Sequence, residues 1–238
     1  MQRMQDTNPT SAATQALLSK LKAFCFPNGE QAGRTVRGLK SSQRGQIRPS
    51  PAAHWSPFTA EEWVCATHSE FIWEADLGSG IITSVHVTDG YRDGHGKAVL
   101  RKGPIPLKSL SGVTFDKGEL QRYLGYVSYC PPILLHHQTL EWTEVGPRTL
   151  RVRDRLDESG ATLDIELADC GELVEMRTIR PMAVGKDSVD TAWSARSSDY
   201  REIEGVRIPM KMEASWHPDS GAFTYVEIEL TSVTLVHF

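Results

Sequence analysis

Asp116–Leu135 reads DKGELQRYLGYVSYCPPILL, the one stretch in the second half of the chain with a helical rather than a strand period. Leu120, Tyr123, Leu124 and Val127 stand at i, i+3, i+4 and i+7, the spacing of an apolar stripe that packs a helix onto a sheet. Asp116 is placed to cap the helix start, and Glu119 to reach back to the cap N–H. Pro131 and Pro132 stop the helix near Tyr129, and the apolar run Ile133-Leu134-Leu135 suggests that the chain leaves it still buried. Gly125 lies inside the stripe, where glycine costs roughly 1 kcal/mol against alanine. Two readings follow for it: a weakened helix end that serves as a lid, or a close approach to a bulky side chain such as Trp73.

Outward from this helix, period-2 alternation dominates. Leu140 and Trp142 begin it, and Leu150, Val152, Asp154 and Leu156 alternate with Arg151, Arg153 and Arg155. Leu163, Ile165 and Leu167 then alternate with Asp164 and Glu166. Segments 193–200, 206–216 and 223–236 complete a series of antiparallel hairpins. On the N-terminal side, Phe71, Trp73, Ala75 and Leu77 face one way and Glu70, Glu74 and Asp76 the other. A turn at Gly78-Ser79-Gly80, a strand over 81–89, a tight connection at Asp93-Gly94-His95-Gly96 and a strand over 97–102 form a meander.

Trp55–Trp63 reads as the start of a short helix to about Thr67, with Thr59 and Glu62 as a capping box and Trp63 on its inner side. Residues 31–48, carrying Arg34, Arg37, Lys40, Arg44 and Arg48, read as a basic edge strand or an extended lead-in. Leu17, Leu18, Leu21 and Phe24 mark a short amphipathic helix, preceded by a polar tail. The domain expectation is therefore 1–30 for tail and helix, and 31–238 for one curved-sheet domain. The fold class is α+β: an open, strongly curved antiparallel half-barrel of about ten strands wrapped around the central amphipathic helix, since so wide a sheet must curl.

Composition narrows the function classes. A net charge of −4, from 30 acidic and 26 basic residues, gives no broad electropositive footprint, so nucleic acid is not expected as a partner. Cys25, Cys65, Cys130 and Cys170 include no C-x-x-C pair, and buried free thiols are expected. No window resembles a membrane span or a signal peptide, so the default location is cytoplasmic; an upstream anchor lost through a misassigned start would overturn that default.

Neither a G-x-S-x-G elbow nor a P-loop or dinucleotide fingerprint is present, and no cofactor is expected. His86 and His95 on neighbouring strands, with Asp89, Asp93 and the helix residue Glu119, form the best alternative: a carboxylate/histidine site for a cation or a proton transfer. Glu119 and Arg122 read as a surface i, i+3 ion pair. Arg180 and Arg196 stand where they would guard a cavity mouth. Large adaptable apolar groups recur along successive strands. Trp73, Trp142, Trp193, Met210, Met212 and Trp216, with Tyr123 and Leu124 of the helix, either fill the core or line a cleft between sheet and helix. The second reading makes them the ligand-binding residues for an apolar small molecule or lipid.

These segments carry a resemblance. The chain resembles a bacterial family with no assigned activity, marked by W-x-P-F-T-A (Trp55–Ala60), F-x-W-x-A (Phe71–Ala75), D-x-x-x-D-G-x-G (Asp89–Gly96), E-L-x-R-Y-L (Glu119–Leu124), P-x-x-L-L (Pro131–Leu135) and Y-x-x-x-x-G-x-x-I-P (Tyr200–Pro209). The family's helix often continues R-Y-L-A-E-x-x-W; here Tyr126 replaces the glutamate and Tyr129 the tryptophan. The order of sheet and helix also resembles bacterial lipoprotein carriers, whose open half-barrel holds acyl chains. That likeness implies a binding module for an apolar or acyl-chain ligand.

Overall fold

The computed structural model describes residues 11–78, 85–184 and 187–238. The expected tail over 1–10, the Ser79-Gly80 part of the turn and the start of the strand at 81–84 lie outside the described residues. Among the described residues, four α-helices and thirteen strands follow in order: α1 (Ala12–Cys25), α2 (Gln31–Arg34), β1 (Val36–Ile47), β2 (Ser56–Cys65), β3 (Phe71–Leu77), β4 (Val85–Arg92), β5 (His95–Lys102) and β6 (Ile105–Leu110). Then come α3 (Val113–Gly125), a 3-10 turn (Tyr126–Ser128), α4 (Ile133–His136), β7 (Leu140–Gly146), β8 (Thr149–Asp154), β9 (Leu163–Leu167), β10 (Leu173–Val184), β11 (Asp187–Ile203), β12 (Val206–His217) and β13 (Phe223–His237).

All thirteen strands belong to one antiparallel sheet, in the order β6-β5-β4-β3-β2-β1-β13-β12-β11-β10-β9-β8-β7. Two meanders, β1 to β6 and β7 to β13, run outward to one edge and back from the other, and β1 pairs with β13 in the middle. The α3 helix packs on β4 and β5 of one arm and on β9 and β10 of the other. In a flat sheet β5 and β10 would lie eight strand spacings apart, about 38 Å at ~4.8 Å each. A helix about 10 Å across reaches both only because the sheet curls over it.

Glycine permits that curl in the middle strands. A Cβ on Gly45 would lie 2.2 Å from the Glu227 carbonyl oxygen, and one on Gly38 2.2 Å from the Trp63 ring. No larger residue fits at either point of β1. Tight turns obey the same stereochemistry: Asp93 (φ 52°) with Gly94 (φ 84°), and Glu204 (φ 50°) with Gly205 (φ 81°), hold both turn centres at positive φ. That is the two-residue hairpin geometry whose twist matches the strands.

The Leu120, Tyr123, Leu124 and Val127 stripe is buried in the main core with Leu39, Phe71, Leu150, Leu163 and Ile165. Leu17 and Leu21 of α1 join the same core. The start of α3 differs from expectation. Gly112 (φ 108°) is its N-cap, and Asp116 uses its Oδ1 to accept the Gly96 backbone N–H at 2.7 Å, tying the helix to β5.

Two further expectations are corrected. Residues 56–65 form strand β2, not a helix: Phe58, Ala60, Glu62 and Val64 face inward, and half-buried Trp63 covers Gly38 from outside. A buried glutamate in the inward series disguised its period. The basic segment β1 is the centre of the sheet, paired on both sides, with Leu39, Ser41 and Gln43 inward and Arg44 outward to Glu229 at 2.8 Å. Of the cysteines, Cys25, Cys65 and Cys130 are buried free thiols, whereas Cys170 is exposed. Among the described residues no helix is long and apolar enough to cross a membrane.

Candidate functional site

One face of α3 is apolar, but the other is not exposed. Glu119, Arg122, Tyr126 and Tyr129 recur at helical spacing and look onto the inner face of β2, β3 and β4. There, cross-strand pairing sets Ser41, Glu62, Trp73 and Asp89 in one row. Buried polar groups must find partners, and the row and the helix supply them to one another. Glu62 Oε1 accepts from Tyr126 Oη at 2.5 Å and from Arg122 Nη2 at 3.1 Å. Its Oε2 accepts from Gln43 Nε2 at 2.6 Å and from Tyr129 Oη. Gln43 in turn accepts from Trp73 Nε1 at 3.0 Å. Arg122 reaches Asp89 with Nη1 at 2.6 Å and donates through Nε to Tyr126 Oη at 2.7 Å.

The Glu119–Arg122 pair expected at the surface is therefore internal. Its 3.8 Å separation is long for a hydrogen bond, as is the 3.7 Å from Glu119 Oε1 to Arg180 Nη2, because Arg180 donates instead to the Gly118 carbonyl at 2.7 Å. Burial, aided by the Asp89 charge and opposed by Arg122 and Arg180, pushes the Glu119 carboxyl up to about 7. Burial also raises Asp89, against the pull of the same two arginines. Tyr126 and Tyr129 are held protonated by burial beside Glu62.

Between this polar face and the β10 to β13 wall lies a cavity of about 280 Å³. Met176, Trp193, Ala195, Met212, Ala214, Tyr225, Val226 and Ile228 form its wall; Ile47 and Trp73 join from the first arm. Three of the sequence-selected residues, Trp73, Trp193 and Met212, line it. Tyr123 and Leu124 are fully buried behind the helix, where Tyr123 Oη donates to the Cys65 carbonyl at 2.9 Å. Met210 lies in the main core, and Trp142 packs against that core from β7. Trp216 packs against Tyr225 with ring centroids 5.5 Å apart. Arg180 reaches into the cavity, while Arg196 is tied at the rim to Glu175 at 3.0 Å.

Residues of the alternative site are divided. Asp89 and Glu119 share the cavity, but Asp93 and His95 stand on the β4–β5 hairpin, where His95 approaches Asp116 at 3.6 Å. His86 pairs with Asp76 at 3.1 Å on the edge side. Among the described residues no group of three or more His, Cys, Asp or Glu side chains could hold a metal ion.

Sequence reading missed the Glu62, Gln43, Tyr126 and Tyr129 constellation. Its signal was the i, i+3, i+7, i+10 recurrence of polar and phenolic groups opposite an apolar stripe. The two tyrosines that depart from the R-Y-L-A-E-x-x-W pattern are the ones that grip Glu62.

Comparison with solved structures places this geometry in a known fold. A LolA superfamily protein of Nitrosomonas europaea superposes with a TM-score of 0.50 at 10% identity, over 96% of each chain. A DUF1329 family protein of Desulfovibrio piger superposes with a TM-score of 0.55 at 7% identity, over 94% of each. A Vibrio parahaemolyticus domain assigned to outer-membrane lipoprotein sorting gives 0.50 at 6%, over 94% of this chain and 90% of its own. At such identities the likeness is one of fold. No curated protein sequence matches the chain. Its sequence does match a family of unknown function, DUF6544, over residues 23–228, and the chain belongs to that family.

Proposed function

We propose that the protein binds an apolar or acyl-chain ligand in the cavity between the curved sheet and α3. The observation that carries this reading is the cavity itself, walled by Trp73, Met176, Trp193, Met212, Val226 and Ile228 and bounded on one side by a polar cluster. Concave, mostly apolar sites with a few convergent polar groups are the form that small-ligand sites take. The fold shared with a domain assigned to lipoprotein sorting supports the same reading.

In this reading Trp73, Trp193 and Met212 touch the ligand. Tyr123, Leu124 and Met210 hold the walls from behind, and Trp142 and Trp216 brace the neighbouring strands. The apolar fluorescent probe N-phenyl-1-naphthylamine tests it. Saturable enhancement of probe emission, with quenching of tryptophan emission, is expected for the wild type. Met212→Glu sets a charge on the half-buried wall and should abolish the enhancement while leaving the circular dichroism spectrum unchanged. A wild type that does not saturate, or a Met212→Glu protein that binds equally well, would refute the reading. Native mass spectrometry of the purified protein, followed by extraction, then identifies the lipid that accompanies it.

A further inference from the structure

The polar end of the cavity has a pattern of its own. Among the described residues four buried polar atoms there lack a hydrogen-bond partner: Asp89 Oδ1, Glu119 Oε2, Arg180 Nε and Ser128 Oγ. Glu119, Arg180 and Ser128 are 6%, 9% and 4% exposed, Asp89 is half-buried, and all four line the cavity. Leaving such groups bare is costly, so native proteins rarely do it without a role for them. Glu119 and Arg180 form one overlong ion pair, and each keeps a polar atom outside it: a free acceptor on Glu119 and a free N–H donor on Arg180, with a second free acceptor on Asp89 and a hydroxyl on the same lining.

Charge then restricts what fits. The cluster holds the carboxylates of Glu62, Asp89 and Glu119 against the guanidinium groups of Arg122 and Arg180, an excess of one negative charge when all are ionised. A second uncompensated anion in so buried a place would be strongly disfavoured. A cationic head would meet two guanidinium groups already in place, Arg122 between Glu62 and Asp89 and Arg180 near Glu119.

Resting on the proposed apolar cavity, we infer that it takes single-chain amphiphiles head inward, and that it selects an uncharged head carrying an acceptor and a donor together. A primary carboxamide has this form, as does a carboxylic acid that keeps its proton. The head's carbonyl accepts from Arg180 Nε–H, its N–H or O–H donates to Glu119 Oε2, and the chain lies along Trp193, Met212, Val226 and Ile228. A carboxylic acid and Glu119 then hold one proton between them. Glu119 is faced by Arg122 of its own helix, by Arg180 of β10, by Asp89 of β4 and, through Arg122, by Glu62 of β2. With its carboxyl near 7, free Glu119 is largely ionised at pH 7.5, so bound acid must bring a proton.

Titration of the wild type with decanamide and with decanoate at pH 7.5 and 8.5, read by tryptophan emission, tests the inference. Decanoate affinity is expected to fall about tenfold over that unit of pH, as uptake of one proton requires, while decanamide affinity stays constant. Glu119→Gln supplies an N–H donor and removes the excess charge. Decanoate should then bind at pH 8.5 at least about tenfold tighter than it does to the wild type, and independently of pH. Equal, pH-independent binding of both ligands by the wild type would overturn the head-group selection while leaving the apolar cavity standing. Failure of both ligands and of N-phenyl-1-naphthylamine to bind would overturn the two readings together.

Discussion

Glu119→Gln also makes a prediction about stability, independent of any ligand. The Glu119 carboxyl moves from an ordinary value of 4.5 to about 7 on folding, driven first by burial and then by Asp89. An acid whose folded pKa lies above its unfolded value binds more protons when folded, so wild-type stability falls as pH rises from about 4.5 through about 7. At 1.36 kcal/mol per pKa unit the whole step is about 3 kcal/mol. Glutamine has nearly the same shape and no proton to lose. Near pH 5, where the wild-type side chain is neutral, the two proteins should be about equally stable. By pH 8 the variant should be more stable by up to about 3 kcal/mol. Urea unfolding at pH 5, 6, 7 and 8, fitted with a common m value, measures the gap directly. A gap that stays constant across this range would mean that Glu119 is already ionised at pH 5, and would refute the account of its burial. A variant less stable at pH 8 would mean that its attraction to Arg122 and Arg180 outweighs desolvation.

Other expectations follow from the same packing. Leu124→Ala, at a fully buried position of the stripe, should lower unfolding stability by about 2–5 kcal/mol by chemical denaturation. Gly125→Ala should raise it by about 0.4–1 kcal/mol, since a Cβ there meets only Met176 Sδ at 3.7 Å and Leu163 Cδ2 at 4.0 Å, and the backbone is helical; a loss of stability would contradict the open space. His137, pushed down to about 4 chiefly by burial, is a base whose folded pKa lies below its unfolded 6.5. The unfolded chain therefore binds more protons between those values, and stability falls as pH drops from about 6.5 towards 4. His137→Gln should flatten that limb in acid titrations followed by circular dichroism.

Much of the architecture is legible in the sequence because periodicity reports which side of an element is buried. The α3 stripe and the hairpins from Leu140 onward are of this kind. Two segments escaped for one reason: Ser41 and Gln43 in β1, and Glu62 in β2, occupy inward positions that periodicity reserves for apolar groups. Gln43 and Glu62 are satisfied by Trp73, Arg122, Tyr126 and Tyr129, which arrive from elements 30 to 67 residues away in the chain, beyond the reach of a local pattern. The thirteen strands exceed the expected ten partly because β2 read as a helix. A limit of the same kind applies to the cavity. Alternation places Trp142, Trp193 and Trp216 on inward or half-buried faces, but says nothing of where along a strand the helix lies, and so does not separate Trp193, which lines the cavity, from the other two.

Neither Gly125 nor the two prolines make the helix end a lid. Val127, Tyr129, Cys130 and Ile133 are among the most buried residues of the chain, so this end is anchored in the core, where local opening is rarest. Gly125 does not approach Trp73 either; its neighbours are Met176 and Leu163.

The pairing of β1 with β13 at the middle of the sheet bears on how the molecule assembles. Each meander grows by local hairpins, whose short loops close quickly. The central ladder joins Val36 to His237 and Ile47 to Val226, bringing together positions nearly two hundred residues apart in the chain. Closing so long a loop carries an entropy cost that is recovered only once the ladder and the cavity beneath it are in place. The two arms are therefore expected to condense first, as separate hairpin stacks, with docking of the first strand onto the last as the slow step. Until that step is complete, the inward edges of β1 and β13 stand open to other chains.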